Sequence, residues 1–160
     1  MRSNRLLGAN LVEKSLVKIE DLEKANERLF DLIKTGTGRE ASLLAILIQE
    51  DEALSEDALL SFLVEEEGLA LIDLVDVDTP SELKGTIEAD ACWSTWTVPF
   101  DKEGDFYYIA TAYYLSPLAR EYWEKKLEGH IIWYGTTMSS IIGYMERCQD
   151  EGLLVGLSED

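Results

Sequence analysis

Thirteen of the fifteen aromatic residues of this chain lie between Trp93 and Tyr144, and only Phe30 and Phe62 precede them. Trp and Tyr bury large areas, so a segment rich in them can fill a compact core around a small sheet. The charge is divided the opposite way. From Glu50 to Asp90 there are fourteen acids and one base, Lys84. These shifts imply two differently built parts with a boundary near Asp76-Val77-Asp78-Thr79-Pro80, where Pro fixes φ and Asp and Thr compete for local backbone donors. The expected fold class is α+β: a small helical subdomain over residues 1–75, a small sheet packed by helices over 76–150, and a flexible tail over 151–160.

Periodicity fills in the elements. Leu22, Ala25, Leu29, Leu32 and Ile33 repeat as one buried helical face, and Leu7, Leu11 and Val12 mark a shorter helix before it. Thr35-Gly36-Thr37-Gly38 ends the second helix. Ala41 to Gln49 is an almost unbroken apolar run whose Ala and Leu content predicts a buried helix rather than a strand. Ser55 caps the next helix, with Glu56 and Asp57 at its positive end; Leu59, Leu60 and Leu63 give its apolar face, and Gly68 stops it. Further on, the periods predict a strand over 70–77, a helix over 81–91, a strand from Thr95 to Phe100, a loop from Asp101 to Asp105 and a strand over 106–112. Ser116-Pro117 opens a helix that ends at Gly129. His130 to Tyr134 forms a strand, and Thr136 or Thr137 caps a last helix with Met138, Ile141, Ile142, Met145 and Cys148 on one face.

The composition excludes several functions. The 160 residues carry a formal charge of −18, which opposes binding to nucleic acid phosphates and to anionic lipid. With 46% apolar residues, the chain can bury a substantial core and is not expected to be disordered. No apolar run is long enough to span a membrane. Arg2, Arg5, Glu13 and Lys14 interrupt the first sixteen residues, so no secretory signal is expected. Two cysteines make no disulfide framework, and the expected location is cytoplasmic.

Little catalytic material is present. His130 is the lone histidine, which leaves almost nothing for a His-based metal site or a Ser-His-Asp triad. Cys92 and Cys148 form no close pair, and Cys148 continues an apolar stripe as a small hydrophobe. Thr35-Gly36-Thr37-Gly38-Arg39 lacks the Gly-Lys-Ser/Thr ending of a phosphate loop. Asp73, Asp76 and Asp78 offer oxygen ligands without the spacing of a calcium loop. No catalytic residue, cofactor or metal site is expected.

The order of the leucine motifs carries more information than any single residue. Leu7-Gly8-x-x-Leu11-Val12, followed by Leu22 and Ala25, is echoed by Leu44-Ala45-x-x-Ile48 and by Leu54-Ser55-Glu56-Asp57 with Leu59. The second copy runs on through Glu66-Glu67-Gly68-Leu69-Ala70-Leu71-Ile72-Asp73-Leu74. This resembles the N-terminal domain of type II secretion and type IV pilus assembly ATPases, with its two Leu-Gly … Ile-Ser-Glu … Leu helix pairs closing on Gly-Leu-Pro-Phe-Val-Asp-Leu. Trp96-Thr97-Val98-Pro99-Phe100 resembles that domain's Val-Leu-Pro strand, Asp101 to Asp105 its polar hairpin, and Tyr108-Ile109-Ala110-Thr111-Ala112 its Val-Ala-Met-Ala strand. The resemblance covers about residues 5–148.

The resemblance implies a non-catalytic cytoplasmic adaptor that docks a motor domain onto inner-membrane platform components; the motor and its Walker A sequence are not expected in this chain. The expected partner is a protein, met by Leu7, Leu11 and Val12 on the first helix and by Glu65, Glu66 and Glu67 as an electrostatic rim. The alternative is a cyclic di-GMP sensor, because a subset of the family binds that nucleotide through an Arg-Leu-Gly opening and a closing Gln in each repeat. Here Leu6, Leu7 and Gly8 open the first repeat with Arg5 one place early, and Leu29 stands at the Gln position. Leu43, Leu44 and Ala45 open the second, with Glu66 at the Gln position. Leu for Arg and Glu for Gln remove charge pairing and add repulsion toward a dianion, so nucleotide binding at Arg5 and Gly8 is the disfavoured reading.

Overall fold

A computed structural model of the chain describes residues 2–35, 42–50, 52–83 and 88–152. Gly36, Gly38, Arg39, Lys84 and the tail from Leu153 onward, all used in the sequence reading, lie outside these residues. Helices α1 (Arg2–Glu13) and α2 (Ile19–Lys34) come first, then α3 (Leu43–Ala45), whose spiral continues as one wide π turn over Ile46–Glu50, and α4 (Glu56–Glu65). The expected helix in the apolar run is therefore present over its described residues. Ser42 caps it by accepting from the Ala45 N–H, and Ser55 caps α4 by accepting from the Ala58 N–H. Gly68 turns the chain out of α4 at φ 70°, a conformation that costs a residue with a Cβ.

The remaining elements are β1 (Ala70–Leu71), two single 3₁₀ turns (Leu74–Asp76 and Ser81–Leu83), α5 (Ala89–Thr95), β2 (Thr97–Glu103), β3 (Phe106–Thr111), α6 (Pro117–Lys126), β4 (His130–Gly135) and α7 (Met138–Asp150). Together they form the expected α+β fold. The strands make one sheet in the order β1-β4-β3-β2. β2 and β3 are an antiparallel hairpin, whereas β4 runs parallel to both β3 and β1. The β3–α6–β4 passage is the crossover that a parallel pair requires. Pro99 is tolerated because β2 is an edge strand, and the ladder shifts register between Pro99 and Asp101.

Several boundaries differ from expectation. The strand over 70–77 stops after two residues, because the Asp73 carboxylate accepts from the Val75 N–H at 3.1 Å and starts a 3₁₀ turn instead. Of the helix expected over 81–91, the described residues show a 3₁₀ turn at Ser81–Leu83 and α5 from Ala89. α5 ends where Trp96 adopts a left-handed conformation at φ 47°, so β2 starts at Thr97. The five-residue hairpin loop contracts to Gly104-Asp105, since Asp101, Lys102 and Glu103 stay on the ladder opposite Tyr108, Tyr107 and Phe106.

The buried side chains form one continuous cluster that includes Leu11 and Leu47 from the first part and Ile109, Trp123 and Tyr144 from the second. Polar contacts cross between the parts as well. The Ser42 and Tyr113 hydroxyls meet at 2.6 Å in the interior, the Asn10 amide donates to the Leu115 carbonyl, and β1 lengthens the sheet along β4. Gly129 sits against the hairpin turn, where an added Cβ would lie 2.4 Å from the Asp105 carbonyl oxygen. That oxygen also accepts from the His130 N–H at 2.8 Å, so it cannot withdraw freely. Gly129→Ala is expected to destabilise the fold by about 1–3 kcal/mol. Thermal unfolding checks this, and an unchanged midpoint would refute the close approach.

Candidate functional site

The expected partner-facing residues separate by burial. Leu7 and Leu11 are 1% and 0% exposed, so both are core side chains and neither offers surface to a partner. Val12 is half-buried. Gly8 is a packing position: a Cβ there would lie 2.8 Å from Leu22 Cδ1 and 3.1 Å from Leu43 Cδ2. The two leucine repeats therefore meet at this glycine, which lets α1 lie close to α2 and α3. Arg5 is on the same helix. Glu65 and Glu66 are exposed and Glu67 is half-exposed, at the end of α4 as expected.

Two concavities flank the chain as it leaves β1. The larger, about 530 Å³, lies between the 3₁₀ turn at Leu74–Asp76 and α7. Three of its polar side chains, Ser140, Tyr144 and Arg147, hold neighbouring backbone or side chains. Ser140 Oγ accepts from the Leu74 N–H at 2.9 Å, and the Arg147 guanidinium donates to the Val77 carbonyl at 3.1 Å and also to that of Leu74. The Tyr144 hydroxyl donates to the Pro99 carbonyl at 3.2 Å and meets Thr79. These bonds clamp residues 74–79 onto α7.

The smaller concavity, about 370 Å³, lies between α4 and β1 and is lined by Asp57, Leu60, Ser61, Val64, Glu65 and Leu71. Val64 and Leu71 are 43% and 46% exposed. The sequence reading missed this groove although the doublets Leu59-Leu60 and Leu63-Val64 carry its signal. Neighbours on a helix are about 100° apart, so Leu59 and Leu63 can be fully buried only if Leu60 and Val64 turn toward the rim.

The buried thiols and two of the buried phenols ionise less readily than usual. Burial, with smaller contributions from the neighbouring Cys148 and Glu88 charges, pushes the Cys92 thiol well above its ordinary range. Burial likewise raises Cys148, Tyr113 and Tyr144. Among the described residues no group of three or more His, Cys, Asp or Glu side chains is placed to hold a metal ion, and no helix is long and apolar enough to cross a membrane.

No family model and no curated protein matches the sequence. Solved structures do match the fold. The N-terminal domain of XpsE superposes with a TM-score of 0.61 at 18% identity, over 91% of this chain and 94% of that one. MshE with cyclic di-GMP superposes with a TM-score of 0.54 at 22% identity, over 88% and 96%. The fold is that of a secretion-ATPase N-terminal domain. XpsE is a type II secretion ATPase and MshE a pilus ATPase, so the architecture that the leucine motifs implied is present at the level of fold. The likeness is to the N-terminal domain of such ATPases and not to their catalytic domain.

Proposed function

We propose that this chain is a non-catalytic cytoplasmic docking module of a secretion or pilus machine, binding a protein component of the platform or a regulator. The observation that carries this reading is the near end-to-end match to both solved structures, 94% and 96% of those chains. A domain of this size and order, with its polar side chains engaged in holding its own loops, is suited to presenting a surface rather than to turning over a substrate. In this reading residues 1–75 supply the docking face and residues 76–150 brace it. Glu65, Glu66 and Glu67 contribute an acidic rim that speeds encounter with a basic partner and excludes acidic ones. Purified cytoplasmic domains of the platform proteins encoded with this chain test the proposal by calorimetry. Binding that weakens as salt rises is expected; absence of heat with every such domain overturns it.

MshE with cyclic di-GMP motivates the second reading, a nucleotide sensor using Arg5 and Gly8. Three features of this chain oppose it: the space above Gly8 is filled by Leu22 and Leu43, Leu29 at the closing position is buried, and Glu66 at the other brings an exposed negative charge. Calorimetry with cyclic di-GMP is expected to give no heat. A saturable signal that Arg5→Ala abolishes would instead establish the sensor.

A further inference from the structure

The groove between α4 and β1 combines an apolar floor with acidic ends. Leu60, Val64 and Leu71 form the floor, and Asp57 and Glu65 stand a little over two turns apart along α4. We infer that this groove receives a basic amphipathic helix of a partner protein, with its apolar side on Val64 and Leu71 and its Lys or Arg residues against Asp57 and Glu65. The inference rests on the docking reading for the partner being a protein, and it adds where that protein is held and by what chemistry.

Other occupants fit less well. A second copy of this chain would bring its own −18 charge to an acidic rim, and nucleic acid or anionic lipid would be repelled in the same way. An added β-strand would find a poor template. β1 has only two ladder residues, the Ile72 N–H is already spent on the Gly135 carbonyl at 3.0 Å, and the backbone then coils into a 3₁₀ turn. An occupant on this edge gains little from main-chain hydrogen bonds and much from apolar contact, which is how helix-in-groove recognition works. The ten residues of α4 extend about 15 Å, enough to seat about three turns of a partner helix. A small contact of this kind gives weak, reversible binding.

The test uses the whole chain and two labelled synthetic helices of leucine and lysine, one amphipathic and one with the same composition scrambled to remove the apolar face. In fluorescence anisotropy the amphipathic peptide is expected to bind at least tenfold more tightly than the scrambled one. Val64→Ser with Leu71→Ser is expected to remove that difference, and Asp57→Lys with Glu65→Lys to weaken binding at least tenfold. Asp21→Lys with Glu23→Lys on α2 is the control for general charge attraction and is expected to change affinity by less than threefold. Amide exchange on the wild-type chain gives an independent readout, with protection by the peptide expected over residues 57–71. Equal binding of both peptides, or protection elsewhere, overturns the groove. The same variants separate this inference from the docking proposal: a platform domain that binds the double serine variant as well as wild type refutes the groove alone. If the amphipathic peptide binds at the groove and no platform domain binds the chain, the docking proposal fails alone.

Discussion

Trp123→Ala is expected to remove about 3–5 kcal/mol of folding stability, a large part of the roughly 5–15 kcal/mol that a folded domain possesses. The side chain is 0% exposed on the inner face of α6, and its ring N–H donates to Thr95 Oγ1 at 3.0 Å. Loss of that bond is the smaller part, because the Thr95 hydroxyl keeps its own bond to the Ala91 carbonyl at 2.7 Å. The larger part is the cavity left between α6 and α5, since a void of that size forfeits both transfer energy and dispersion contacts. Urea unfolding should show a lower midpoint with an unchanged slope. Tyr122 provides the contrast: it is the adjacent ring, in edge contact with Trp123, yet 37% exposed. Tyr122→Ala should cost about 1 kcal/mol or less. Equal losses at the two positions would mean that α6 presents a different face to the core.

The sequence carried this fold more legibly than it carried the surface. Helix caps at Ser55 and Ser116 were readable, and the last was narrowed to Thr136 or Thr137, of which Thr137 is used, because an N-cap is a local decision: one hydroxyl accepts from the N–H three residues on, whatever the tertiary setting. The alternation of strands and helices in the second part was readable for the same reason. β1 was misjudged in length because Asp73 offers the backbone a local bond that competes with a ladder, and periodicity alone does not weigh that competition. The site was harder. Leu7 and Leu11 look like any exposed leucine stripe until Leu22 and Leu43 are seen to close over α1. Val64 and Leu71 lie on different elements and become neighbours only when β1 is added to β4.

That closure also changes how the two parts relate. The break in composition near Asp76–Pro80 falls beside a segment held to α7, with Arg147 donating to the carbonyls of Leu74 and Val77. The segment that follows β1 is therefore tied to α7 through hydrogen bonds, and the Glu56 carboxylate of α4 adds another by accepting from the Met138 N–H at 3.4 Å. Under the proposed docking function, these bonds would pass a load applied at α4 on to α7.

Alkaline pH should unfold the chain sharply, and three buried groups set the sign. Burial raises the Cys92, Tyr113 and Tyr144 ionisations above their ordinary values, so each stays protonated in the folded state long after its unfolded counterpart has lost its proton. The stability they contribute is complete below the unfolded ionisations, near pH 8.5 for a thiol and about 10 for a phenol. Above those values the unfolded chain binds fewer protons than the folded one, and the linkage slope turns negative. Each such group then removes stability as pH rises, and their effects add, so the fall steepens once the phenols join the thiol. Melting temperature followed from pH 8 upward should hold nearly level at first and then fall steeply. Tyrosinate absorbance gives the decisive comparison, since Tyr113 and Tyr144 should ionise only with the unfolding transition. Tyr144→Phe should start from lower stability, because the bonds to Pro99 and Thr79 are gone, yet decline less steeply with pH. If all seven tyrosines titrated together while the fold persisted, water would have to reach the Tyr113–Ser42 bond, and the single closed core that joins the leucine helices to the sheet would not exist.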